Sequence, residues 1–157
     1  VLMLYPLIGS MIGFVLFNIG ILGKKRGVFL GDSGSNLVGF WVAWIAIYAS
    51  QSEIYIIQPV TMLWFVAIPL LDCLGLIYTR VNKGKSFSTA GRDHIHHKLM
   101  NKFSSKQTLS IILFITFTTG LIGILVDIYT ASYISTILFL IYASIYYLLT
   151  GFLWKKY

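Results

Sequence analysis

The sequence predicts an all-α, polytopic integral membrane bundle, and two observations carry that prediction. Hydrophobic residues make up 57% of the chain against 11% charged, with a mean hydropathy of +0.82, whereas an ordinary soluble domain is about 25% charged. The apolar residues also gather into five stretches, at 1–22, 34–50, 57–79, 108–126 and 131–154. Each is long enough as a helix for a hydrocarbon core about 30 Å thick. Residues 1–157 therefore read as one membrane domain with five spans. Val1 begins inside an apolar stretch with no basic segment before it, so no signal peptide is expected and the chain reads as the C-terminal part of a longer domain.

The first stretch ends at "NIGILGKKRG", where glycines and three basic residues mark a boundary and Asn18 falls about one turn inside the membrane. "VFLGDSGS" then leads into the second span, "NLVGFWVAWIAIYAS". Tyr48 and Tyr55 flank a short loop, "QSEIYIIQP", and suit an interfacial aromatic belt. The third span is interrupted by Pro69 and carries Asp72, seven residues before Thr79 and thus about 10 Å from the helix end. Residues 80–107 form the one long polar loop, in which "RDHIHHKLMNKF" has helical potential. Two further spans follow, joined by "DIYTA" and free of intramembrane charge.

The distribution of charge orients the spans. The twelve basic residues fall in the first loop (Lys24, Lys25, Arg26), the third (seven between Arg80 and Lys106) and the C-terminus (Lys155, Lys156). The intervening loops hold only Glu53 and Asp127, read as solvated loop residues. By the positive-inside rule the basic connections are cytoplasmic. The net charge of +7 is thus mostly topological and argues for anionic headgroups or a phosphorylated substrate, with no nucleic-acid partner. Cys73, the only cysteine, lies within a span and reads as a packing residue.

Three features can carry chemistry. In "GDSGS", Asp32, Ser33 or Ser35 would cap the following helix. One such residue suffices for a cap, and the two glycines added here suit close approach by a ligand at a helix N-terminus, where phosphate binds well. "GDSG" also resembles a serine-protease signature, and an intramembrane protease using Ser33 needs a histidine base within hydrogen-bond reach. No span contains one. All three histidines, His94, His96 and His97, sit together in "HIHH" within the polar loop. A helix would put His94 and His97 on one face, an extended strand His94 and His96. Zinc would need further ligands, which leaves a cation-binding membrane protein as a weaker, non-enzymatic alternative. Beside Arg92, Lys98 and Lys102 the imidazoles suit a phosphate group. Asp72 is the third feature: an ionisable residue within a span either bonds a neighbouring helix or belongs to a site.

"FNIGILGKKRGVFLGDSGSNLVGF" with "IPLLDCLGLIYTRVNKGKSFSTAGRDHIHHKLM" resembles the C-terminal half of the polyprenyl-phosphate N-acetylhexosamine-1-phosphate transferases, most nearly the bacterial undecaprenyl-phosphate GlcNAc-1-phosphate branch. The resemblance covers about residues 12–103. It implies a multi-pass enzyme of the bacterial plasma membrane with a cytoplasmic active face. Such an enzyme transfers a sugar 1-phosphate, here GlcNAc-1-phosphate, from a UDP-sugar to undecaprenyl phosphate and releases UMP, the initiating step of a cell-envelope polysaccharide. It further implies Mg²⁺, or Mn²⁺ in its place, held by Asp32. His94, His96 and His97 would act on the nucleotide-sugar as catalytic residues, and Asn18, Arg92 and Asp72 would contact substrate. Mg²⁺ commonly bridges one or two carboxylates to substrate phosphates, which suits an acid in a glycine-rich bend. The loop departs from the family pattern at Gly91, where an aspartate is usual, and lacks the usual prolines before "HIHH". The family's paired aspartates would lie upstream of Val1, so the 157-residue chain by itself is expected to be inactive.

Overall fold

Seven helices follow one another in the computed structural model, which describes residues 4–19, 21, 28–51, 57–86 and 94–154: α1 (Leu4–Ile19), α2 (Gly31–Gln51), α3 (Pro59–Phe65), α4 (Ala67–Asn82), α5 (Ile95–Met100), α6 (Ser105–Tyr129) and α7 (Ser132–Trp154). No strand occurs among the described residues, as the composition predicts. Arg92, Gly91, Glu53, Tyr55, the basic triplet at 24–26 and Lys155–Lys156 lie outside the described residues. The chain divides into two units, residues 1–45 and 46–157.

The first unit holds α1 and the leading part of α2. Asn18 ends α1 with a double tie: its amide donates to the Phe14 carbonyl at 3.0 Å and its oxygen accepts the Val28 N–H at 3.0 Å. The side chain thus ties the last turns of α1 to the segment that leads into α2. Gly31 opens α2 at φ +71°, a left-handed conformation that disfavours any residue with a Cβ. Asp32 therefore falls in the first helical turn, where its charge complements the helix dipole, three residues nearer the N-terminus than the expected span implied.

In the second unit, α6 and α7 are long and apolar enough to cross a membrane, and α3 with α4 make a third candidate only if the bent pair counts as one span. The expected third span is therefore not one continuous helix: α3 and α4 meet at 81°. The break falls at Val66 (φ −105°, ψ 15°), three residues before the proline. The reason is steric and local. A proline at 69 cannot donate to Phe65 and its ring collides with that carbonyl, so the helix must restart at Ala67, putting Pro69 in the first turn where no N–H is needed. Pro59 holds the equivalent early position in α3. Two expected spans stand differently: α1 is a shorter apolar helix over its described length, and α2, at 21 residues, opens on polar "GDSGSN" and is not among the candidates. The polar loop is shorter than expected. Helix α4 runs on to Asn82, and α6 starts at Ser105 behind a capping box in which Ser104 and Gln107 bond each other's backbone N–H.

The short α3 lies against α6 over two small residues. A Cβ at Gly123 would overlap Trp64, with Cγ of that ring 2.8 Å away, and one at Gly120 would meet the Phe65 ring at 3.0 Å. Glycine is what lets the helices approach, as is usual where lipid offers no hydrophobic drive for helix association. Trp64, 3% exposed, donates its indole N–H to the Ser135 hydroxyl at 3.3 Å and packs edge-on to Phe139 at 5.4 Å.

Candidate functional site

The polar centre of the second unit is Asp72. It lies on the buried face of α4, with Ala67, Ile68, Leu71, Gly75 and Leu76. One carboxylate oxygen, Oδ2, is 2.8 Å from Nδ1 of His94, and the other, Oδ1, accepts the Ile95 N–H at 3.0 Å. Both partners belong to the start of α5: His94 is its N-cap, in extended conformation, and Ile95 its first residue. Apolar packing backs the arrangement, because Ile68, Leu71 and Tyr146 form a buried cluster against which Ile95, Ile112 and Tyr147 lie. Tyr147 also donates its hydroxyl to the Leu71 carbonyl at 3.1 Å.

The three imidazoles are stacked in sequence order. His94 and His96 are nearly parallel, 17° apart with centroids at 5.6 Å, and His96 and His97 are 4.1 Å apart at 40°. Neither a wholly helical nor a wholly extended segment would do this. The extended His94 followed directly by the first helical turn brings all three rings together rather than two. Burial, reinforced by the neighbouring His97 and His94, pushes His96 below the ordinary histidine range, against an opposing pull from Asp72.

Of the other expected site residues, Asn18 and Asp32 belong to the first unit and Asp72 and the histidines to the second; Arg92 lies outside the described residues. Asp32 is exposed and its side chain makes no hydrogen bond with any described residue, and Ser35 donates back to the Gly31 carbonyl at 2.9 Å. An exposed carboxylate fits a hard divalent cation, which takes oxygen ligands and keeps waters and substrate phosphates for the rest. Asp72 does not fit that role as arranged, since both its oxygens are engaged. No group of three or more His, Cys, Asp or Glu able to hold a metal occurs among the described residues, which removes the support for a histidine cation site. Ser33 has no histidine within its own unit to act as a base.

One polar residue was misjudged from sequence. Asp127 is not a solvated loop residue: its Oδ1 accepts the Thr61 hydroxyl at 2.7 Å and the Gln58 N–H at 3.1 Å, clamping the start of α3. No local pattern signals this, because the partners lie 66 and 69 residues away.

Membrane-length apolar helices and a histidine stack seated on a buried carboxylate define a helical membrane protein with one concentrated polar centre. No family model matches the chain, and no solved structure does. It is similar to proteins named undecaprenyl-phosphate alpha-N-acetylglucosaminyl 1-phosphate transferase: that of Yersinia pestis (39% identity, 77% of this chain, 33% of the relative), of Escherichia coli K12 (36%, 90% and 40%) and of Haemophilus influenzae (40%, 80% and 36%). The chain is homologous to these transferases over most of its own length. It spans 33–40% of the length of these curated relatives.

Proposed function

We propose that the protein transfers GlcNAc-1-phosphate from UDP-GlcNAc to undecaprenyl phosphate, releasing UMP, at the cytoplasmic face of a bacterial plasma membrane, as the first step of a cell-envelope polysaccharide. The relatives' shared name supports the reaction. The observation in this chain that carries it is the stack of three imidazoles held at the start of α5, a concentration of donors suited to a diphosphate. Both substrates are anionic and one is anchored in lipid, so the chemistry belongs at a membrane surface. The gathering of basic residues in the segments beside "GDSGS" and "HIHH" supports a cytoplasmic location for them.

The residues divide the work by their chemistry. His94, His96 and His97 bind and orient the nucleotide-sugar, donating hydrogen bonds to oxygens on which charge builds as UMP departs. Asp32 would hold Mg²⁺, which when bound supplies positive charge to the diphosphate. Asn18 holds the segment leading to Asp32 through the Val28 N–H. In the full-length enzyme, Asp32→Asn should abolish Mg²⁺-dependent UMP release while Ser33→Ala leaves most of it. The reverse result would overturn the proposal and favour a serine nucleophile.

A further inference from the structure

Asp72 commits both oxygens to the segment that bears the histidines, and the two bonds are of different kinds. Oδ1 takes a backbone N–H, from Ile95 at 3.0 Å, and so fixes the chain; Oδ2 faces Nδ1 of His94 at 2.8 Å and so fixes the ring. The side chain of Asp72 is 9% exposed and that of His94 41% exposed. The carboxylate is therefore withdrawn from solvent while the imidazole opens to it. A carboxylate in its ionised form only accepts hydrogen bonds, and paired with that form Nδ1 is the donor. That leaves Nε2 as the one nitrogen of His94 able to meet a ligand.

The arrangement resists rotation. Turning His94 away would leave a buried carboxylate short of a partner, which is costly. The carboxylate's own helix is held by the Tyr147 hydroxyl on the Leu71 carbonyl, one residue away. Because His96 lies parallel to His94 and His97 lies against His96, the setting of the first ring constrains the other two.

We propose that Asp72 is a positioning residue that acts through His94, holding the proton on Nδ1 and presenting Nε2 to a phosphate oxygen of the nucleotide-sugar or to the proton in transit on it. Asp72 itself does not touch substrate, in contrast to the role the family resemblance implies. The identity of the anion rests on the transferase reading above; the Asp72–His94 pairing does not.

The test is a double-mutant cycle in the full-length protein, with UDP-GlcNAc and undecaprenyl phosphate as substrates and UMP release as the readout. Asp72→Asn cannot accept from both His94 and Ile95, and should lower kcat/KM about 100-fold, as should His94→Gln, in keeping with the roughly 10²–10⁴-fold worth of a positioned proton-handling group. The double variant should stay within about threefold of His94→Gln alone, because the two residues act as one unit. Losses that multiply to about 10⁴-fold would assign Asp72 its own substrate contact and overturn the proposal, as would an Asp72→Asn enzyme within about twofold of wild type. If Asp72→Asn fails to fold, ¹⁵N spectra of the histidine-labelled wild-type protein decide instead, with His94 assigned by its loss in His94→Gln. A proton on Nδ1 of His94 is expected, with or without a second on Nε2, and a ring protonated at Nε2 alone overturns the proposal. Wild-type protein that releases no UMP would sink the transferase reading while the spectra still report on the pair.

Discussion

Asp72 and His94 lie 22 residues apart in sequence and meet at 2.8 Å, the carboxylate of α4 bonded to the first of three adjacent imidazoles. The contact exists because α4 restarts after the break at Val66 and α5 begins directly after its N-cap His94. A proline, a turn of helix and an N-cap residue together decide where the histidine cluster sits.

Asp72→Ala should loosen α5. A hydrogen bond to a charged group contributes about 1.5–3 kcal/mol, so losing either of the two should raise the open population of the segment roughly tenfold or more. Trypsin cleavage after Lys98 and Lys102 in vesicle-embedded protein reads this directly. A cleavage rate equal to wild type would show that apolar packing of Ile95 alone holds the helix.

Acid should weaken the histidine stack through His96. Its folded-state pKa lies below the ordinary value of 6.5, so between the two values the unfolded segment binds more protons than the folded one. No penalty exists well above pH 6.5; it grows as pH falls below that and levels off beneath the folded-state value. Amide-exchange protection of α5 should therefore drop between pH 7.5 and mildly acid pH, and His96→Gln should blunt the drop. Equal acid sensitivity in the variant would place the effect elsewhere.

Gly123→Ala should destabilise the second unit, because a methyl group there has no room beside Trp64. Overpacking costs about 1–3 kcal/mol, visible as a lower unfolding midpoint in detergent. Gly39→Ala, with nothing within 4 Å of the added Cβ, is the matched control and should be neutral or mildly stabilising. Equal midpoints for the two variants would contradict the close approach of α3 to α6.

Asp127→Ala should release α3. It would leave the wholly buried Thr61 hydroxyl and the Gln58 N–H without their acceptor, at about 1–3 kcal/mol for each buried group left unpaired. Asp127→Asn keeps an acceptor oxygen and should cost less. Trp64 emission, shifting as its pocket opens, monitors both variants; an Asn variant as damaged as the Ala one would argue that charge rather than hydrogen bonding holds the clamp.

Composition and hydropathy alone determined the class of fold, because a chain this apolar can satisfy its backbone in lipid only as helices or a closed barrel, and its stretches have helical length. The residue types at the candidate site were legible for the same local reason: "GDSGS" and "HIHH" are contiguous strings whose chemistry is carried by their own residues. What the tertiary structure decided is pairing. Pro69 announced an interruption and accounts locally for the break at Val66, but that the 81° bend goes with α3 lying against the glycines of α6 is a tertiary fact. Asp127 read as a loop residue and Asp72 as an open choice, because a carboxylate's role is set by whichever donors the fold brings within 3 Å. Those donors came from 22 to 69 residues away, beyond the reach of any local pattern.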